Sequence, residues 1–220
     1  MVFLFLNHLH KAAAPRGPDA VKSLNMYFQL EQILELPISD ERKAVIEPLR
    51  IYLKEQLELE NPIRLNFICT HNSRRSQFAQ VWAHVAAHHY HLPIQSFSGG
   101  VEVTACNTRT VGALKRFGFR VESAGRDNPL YRAFFSDDEE PIRLFSKLYD
   151  DAENPKQRFA AIMTCSHADE NCPYLPSADV RISLLYEDPK AFDDTPHESQ
   201  AYTERSLQIA SEMFYAFNGL

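Results

Sequence analysis

One stretch constrains this chain more than any other: Leu65-Asn66-Phe67-Ile68-Cys69-Thr70-His71-Asn72-Ser73-Arg74-Arg75-Ser76. An apolar run delivers a cysteine, polar and basic residues follow, an arginine stands at Cys-x5-Arg spacing, and a helical pattern starts at once. That order predicts a buried strand, an anion-binding loop and a helix N-terminus. Successive backbone N–H groups at such a turn, helped by the positive end of the helix, form a concave site for a tetrahedral oxyanion. Arg75 closes the site, because a planar guanidinium holds two oxygens at once. The same positive surroundings suit a reactive thiolate, so the loop binds the anion and supplies Cys69 as nucleophile. Ser76 is placed to hydrogen-bond the sulfur, and Asn72 is small and polar enough to brace a tight turn. The candidate oxyanion-binding residues are Thr70, His71, Asn72, Ser73, Arg74, Arg75 and Ser76. A buried structural cysteine before a basic helix start is the alternative, but it leaves the combination of Asn72, Arg75 and Ser76 unexplained.

The 220 residues, 45% of them hydrophobic, suffice for one good core and a small appendage. A net charge of −6 argues against general affinity for nucleic acid or anionic membranes, so any basic site must be local, as the Arg74-Arg75 pair is. Cys69, Cys106, Cys165 and Cys172 are too few and too unevenly spread for a secreted disulfide scaffold, and they fit reactive thiols in a reducing cytoplasm. Cys106 is read as a packed small residue. The apolar start Met1 to Leu6 lacks a basic flank and is interrupted by Asn7, His8 and His10, so it makes a poor signal peptide and is too short to span a membrane. Met26 would serve as an alternative initiator.

Residues 1–18 show no period and end in Pro15-Arg16-Gly17-Pro18, which predicts little order. Apolar residues then recur at helical spacing over 19–36 and 39–59. In the second segment Val45, Ile46, Leu49, Tyr52 and Leu53 form one face, with Ser39 or Asp40 and Glu41 as the start signal. Residues 1–60 thus read as a helical extension and 61–220 as the main domain. The extension's expected role is packing against that domain, with dimerisation as the competitor. Strands are predicted at 63–68, 93–97, 159–164 and 180–185, and helices at 76–91, 108–117 and 198–217. A hairpin is predicted from 128–135 and 142–149 around an acidic turn. Alternating strands and helices predict an α/β fold, a parallel sheet with helices on both faces, whose sites lie at the carboxyl ends of strands. Cys69 and Cys165 both stand there. His84, His88, His89 and His91 mimic a metal cluster, but no nearby carboxylate or cysteine offers a further ligand, so a solvated helix end and no metal is the expectation.

The second informative stretch is Met163-Thr164-Cys165-Ser166-His167-Ala168-Asp169-Glu170-Asn171-Cys172-Pro173. If the polar segment is helical, seven residues separate the two sulfurs by roughly 10 Å of rise. A disulfide needs Cα atoms within about 7 Å, so pairing would require the segment to unwind. Two unrelated thiols, a partial zinc pair and a transient redox couple all stay open on these residues alone. Glu187-Asp188-Pro189 follows a strand directly; it is either an ordinary turn or a carboxyl group poised to give a proton to a leaving oxygen.

Together these residues resemble the thioredoxin-coupled arsenate reductases, which share their fold with the low-molecular-weight protein tyrosine phosphatases. The similarity runs from about Ile63 to Phe217. Phe67 to Gln77 resembles the family's anion loop, Phe97 to Glu102 its following strand and turn, Cys165 to Pro173 its reductase redox segment, and Tyr186-Glu187-Asp188-Pro189 its general-acid loop. The chain departs from the pattern at three places: His71 stands for a glycine, Arg74 for a second loop cysteine, and Gln80 near a glutamate. The 128–151 region is longer than in compact members, and Lys190-Ala191-Phe192 replaces the tyrosine pair that follows Asp-Pro in phosphatases.

The resemblance implies a sheet of about four strands, the helical extension and hairpin being additions. It further implies that Cys69 attacks arsenic, Asp188 protonates the departing oxygen, and Cys165 attacks the adduct to release arsenite. Cys172 then resolves the Cys69–Cys165 disulfide into Cys165–Cys172, which a thioredoxin-like partner reduces, with no cofactor. A phosphatase working through a phosphocysteine and a non-catalytic phosphate-binding module are the alternatives.

Overall fold

The structure is a computed structural model that describes residues 29–171 and 175–220. The predicted lack of order at 1–18, most of the 19–36 helix, and Cys172 lie outside the described residues. At the centre is the strand Ile63–Cys69 (β1), buried everywhere except Arg64. A strand so apolar needs neighbours on both edges. Ile94–Gly100 (β2) pairs with it in parallel on one side and Ala160–Met163 (β6) on the other. Val180–Ser183 (β7) continues the sheet beyond β6, giving the order β2-β1-β6-β7 with all strands parallel, as the alternating pattern predicts.

Side chains alternate across this sheet. Leu65, Phe67, Ala160, Ile162 and Ile182 enter the larger core, together with residues of the helices Asp40–Glu58 (α1), Arg75–His89 (α2), Thr108–Arg116 (α3) and Glu198–Phe217 (α5). Ile68, Ala161 and Met163 face a smaller cluster that holds Cys69 and Cys165 and is joined by Ala168 of the short helix Ser166–Asn171 (α4). α2 buries Phe78, Val81, Trp82 and Val85. His84 and His88 lie edge-on to Phe135, and Glu139 Oε1 stands 3.5 Å from His88 Nδ1, a carboxylate that the sequence pattern did not place beside these histidines.

α1 starts where the sequence signals it, with Ser39 Oγ accepting from the Arg42 N–H at 3.2 Å. Its buried stripe is Ile46, Leu49, Tyr52 and Leu53, and these join the same core as the sheet. Val45, predicted on that face, is 39% exposed. The contact surface offered by α5 and the sheet is narrower than the apolar stripe of the sequence. Arg42 fixes the contact, donating to both carboxylate oxygens of buried Glu212 on α5 at 2.7 and 2.8 Å.

The predicted hairpin is larger in strand number and shorter in strand length. Arg120–Ala124 (β3), Leu130–Phe134 (β4) and Ile142–Leu144 (β5) form an antiparallel three-stranded sheet separate from the parallel one. Strand pairing stops at Leu144 because the next residues bond elsewhere. Ser146 and Lys147 reach the loop after β1, and Leu148 bridges Gly100.

Candidate active site

β1 ends at Cys69 and α2 begins at Arg75, so five residues must reverse into a helix. Asn72 makes the turn in the left-handed region, φ 46°, which asparagine tolerates better than most residues. Its side chain is fully buried and fully used. Nδ2 donates to Ser76 Oγ at 2.9 Å, and Oδ1 accepts from the Lys147 N–H at 3.1 Å. Its carbonyl accepts from Gln77 Nε2 at 2.8 Å. Ser76 Oγ, which accepts from Asn72, also lies within hydrogen-bonding distance of Cys69 Sγ, 3.0 Å away. Asn72, Ser76 and the Cys69 sulfur thus form one chain of hydrogen-bonding contacts.

The remaining side chains of the loop point outward to different elements. Thr70 Oγ1 lies 3.4 Å from Cys165 Sγ and 3.3 Å from His167 Nδ1. His71 Nε2 meets Glu102 Oε2 at 3.1 Å, and its carbonyl accepts from Ser146 Oγ at 2.7 Å. Ser73 Oγ donates to the Ala105 carbonyl at 2.7 Å. Arg74 donates from Nε to the hydroxyl of buried Tyr202 at 2.8 Å and sits 3.7 Å from Asp193. With its side chains committed outward, the loop offers its backbone to whatever it encloses. Among the described residues no side chain caps α2, and the first helix amide with a backbone acceptor is that of Phe78, on the Arg74 carbonyl at 2.9 Å. Unpaired first-turn amides are the donors an oxyanion uses. Gly100 shapes the floor. A Cβ there would stand 2.7 Å from the Asn72 nitrogen and 2.8 Å from the Thr70 carbonyl, so only glycine lets β2 pass this close.

Arg75 and Asp188 come together across more than a hundred residues of sequence. Arg75 Nη2 donates to Asp188 Oδ2 at 2.7 Å and Nη1 to the Tyr186 carbonyl at 3.1 Å. Its Nε is buried without an acceptor among the described residues. Asp188 caps the short 3-10 helix Pro189–Phe192, accepting from the Lys190 N–H at 3.1 Å, which holds the carboxylate at the loop's mouth.

β6 stops at Met163, so Cys165 lies two residues beyond the strand end and not at the end of the predicted 159–164 strand, and it is buried. The Ala168 N–H donates to its sulfur at 3.4 Å. The structure therefore brings Cys69, Arg75, Asp188 and Cys165 to one end of the parallel sheet. Cys172 is not among the described residues. Cys106 is buried in the main core, and burial pushes its thiol up to about 12. Gln80 is engaged structurally: its Nε2 donates to the Arg143 carbonyl at 3.3 Å and its Oε1 accepts from Ser98 Oγ at 2.5 Å.

Sequence reasoning missed Tyr202, Asp193, Ser146, Lys147 and His167. The first two lie at core or turn spacing, and the signal at Ser146 and Lys147 is swamped by the strand pattern before it. His167 was visible inside the redox stretch, but nothing local sets it apart from a solvated residue.

No family model matches the chain. An arsenate reductase of Brevibacillus brevis is 28% identical over 131 residues, 60% of this chain and 80% of its own length. One from Staphylococcus aureus is 27% identical over 149 residues, 67% of this chain and 92% of its own. Among solved structures, a low-molecular-weight phosphotyrosine phosphatase from Vibrio cholerae covers 70% of this chain and 92% of its own at 17% identity and a TM-score of 0.44. With the loop and the second cysteine stretch on the page, the chain is similar in sequence to these arsenate reductases over about 60–67% of its length.

Proposed function

We propose that the protein reduces arsenate to arsenite through a thiol relay that starts at Cys69. The observation that carries this is the meeting of Cys69 and Cys165 in one buried cluster, joined through Thr70, beside an arginine and a carboxylate. Arsenate enters the loop, where the backbone N–H groups of residues 70–76 and Arg75 hold its oxygens. As the oxyanion takes up Arg75, Asp188 gives up the shorter of its two arginine contacts, keeping Arg74 at 3.9 Å, and its carboxyl group stands where the departing oxygen needs a proton. Cys69 forms a bond to arsenic and water leaves. Cys165 then attacks Cys69 sulfur; the S–As bond breaks with its electron pair going to arsenic, which departs as arsenite. The Cys69–Cys165 disulfide passes to Cys165–Cys172 by attack of Cys172, freeing Cys69. A thioredoxin-like dithiol then restores the pair. One of the solved structures similar to this chain, covering 86% of it at a TM-score of 0.37, is a thioredoxin-dependent arsenate reductase of Corynebacterium glutamicum.

Phosphatase action through a phosphocysteine is the second reading, favoured by the fact that Cys69, Arg75 and Asp188 form a complete set without Cys165. The variant Cys165→Ser separates the two. A reductase stalls after one covalent step, so arsenite release stays below one equivalent, whereas aryl phosphate turnover continues in a phosphatase. If the wild-type protein neither reduces arsenate with a thioredoxin nor cleaves an aryl phosphate, yet binds inorganic phosphate, the reductase proposal fails and the site is a phosphate-binding module.

A further inference from the structure

We propose that His167 sets the reactivity of the relay thiol: it withdraws the proton of Cys165 through the Thr70 hydroxyl. The proposal rests on the reductase reading for its purpose, but not for its test. Thr70 Oγ1 is within hydrogen-bonding distance of two partners at once, Cys165 Sγ at 3.4 Å and His167 Nδ1 at 3.3 Å. A hydroxyl between a thiol and an imidazole nitrogen can accept from one and donate to the other. The thiol proton moves to Thr70 Oγ1 as the hydroxyl proton moves to Nδ1, leaving a thiolate and an imidazolium with no change in oxidation state. The backbone N–H of Ala168, 3.4 Å from the sulfur, is placed to stabilise the anion.

Buried thiols resist ionisation, so a nearby base matters most where sulfur is least solvated. Cys165 is only 2% exposed, whereas His167 stands in solvent, where its proton can be exchanged. His167 is thus a positioning residue that acts on the sulfur through Thr70. Asp169 and Glu170 on α4 and Arg181 on β7 are the nearby charged groups, Asp169 pairing with Arg181 at 3.3 Å. The Cys69 thiol stands at the end of β1. On the segments packed against the same cluster, Glu102 pairs with His71, and Asp150 and Asp151 follow Tyr149.

The test is site-resolved alkylation of the reduced full chain with iodoacetamide from acid to alkaline pH, read by peptide mass spectrometry. Each cysteine's rate is normalised to its own alkaline plateau, which removes differences in accessibility. In His167→Asn, which can accept a hydrogen bond but not a proton, the midpoint for Cys165 should rise by about one pH unit or more, making its neutral-pH labelling about tenfold slower. The profiles of Cys69 and Cys106 should stay in place. Thr70→Val should give the same shift at Cys165, and the double variant no more than either. An unchanged Cys165 profile in His167→Asn overturns the proposal, as does an equal shift at Cys69 or additivity in the double variant. A shifted profile in a protein that does not reduce arsenate would leave His167's role standing and sink the reductase reading; an unshifted profile in an active reductase would do the reverse.

Discussion

The two cysteine stretches sit at the ends of adjacent parallel strands, yet they are held very differently. The loop after Cys69 is tied to the segment before Tyr149 through Ser146 and Lys147, to the turn before α3 through Ser73, and to α5 through Arg74 and Tyr202. Its turn residue is buried and its floor admits only glycine. The stretch after Cys165 is held differently. α4 is anchored to β7 largely by Asp169, which faces Arg181 and Ser183 in a half-exposed position. The difference teaches a division of labour. A site that stabilises a charged oxyanion gains from preorganisation, because fixed donors need not reorganise during reaction. A thiol that must travel between two partners gains from a segment that a small free energy can release.

Changes at four positions would break or sharpen this contrast, from the largest effect to the smallest. Cys69→Ser should lower arsenate reduction by roughly 10³-fold or more, since the nucleophile has no substitute, while circular dichroism and melting stay close to wild type. Asn72→Ala combines a strained left-handed alanine with two lost side-chain hydrogen bonds to buried groups, and should cost about 2–3 kcal/mol in chemical denaturation. Asn72→Gly relieves the strain but not the lost bonds, so its cost should be visibly smaller; equal costs would show that the backbone angle is irrelevant.

Lys147 gives a pH-dependent test of the brace behind the loop. Burial lowers its ammonium from the usual 10.5 to about 8. The folded protein therefore holds this proton less tightly than the unfolded chain, which makes Lys147 destabilising below about pH 8 and progressively less so as pH rises toward 10.5. Lys147→Met should accordingly raise stability at pH 7 by on the order of 1 kcal/mol, with the advantage fading above pH 8. A gain that is constant to pH 10 would refute this account. Asp169→Asn should cost under about 1 kcal/mol, because its ion pair is partly exposed. It should nevertheless change the rate at which the Cys165 disulfide forms in a single-turnover quench, which an equally small change at a remote surface pair would not do.

The helical extension shows where sequence patterns stop. Ser39 marks the start of α1 and the Ile46, Leu49, Leu53 stripe marks its buried face, both from local rules. Val45 fits the same stripe and is exposed, because the width of a buried face is set by the neighbour and not by the helix. The Arg42–Glu212 pair that docks α1 on α5 spans 170 residues, and neither residue carries a local sign of its partner.

By itself the sequence determined the strand, loop and helix around Cys69, the parallel alternation that follows, and the second thiol shortly after a strand. Those features rest on short-range rules: apolar period, turn chemistry, and the fixed spacing between a cysteine and an arginine. Only the tertiary structure decided that Arg75 meets Asp188, that Thr70 stands between Cys165 and His167, and that Arg74 turns away to Tyr202. Each of these joins residues from separate elements, and which side chains meet there depends on how the sheet and its helices pack, which no local pattern encodes.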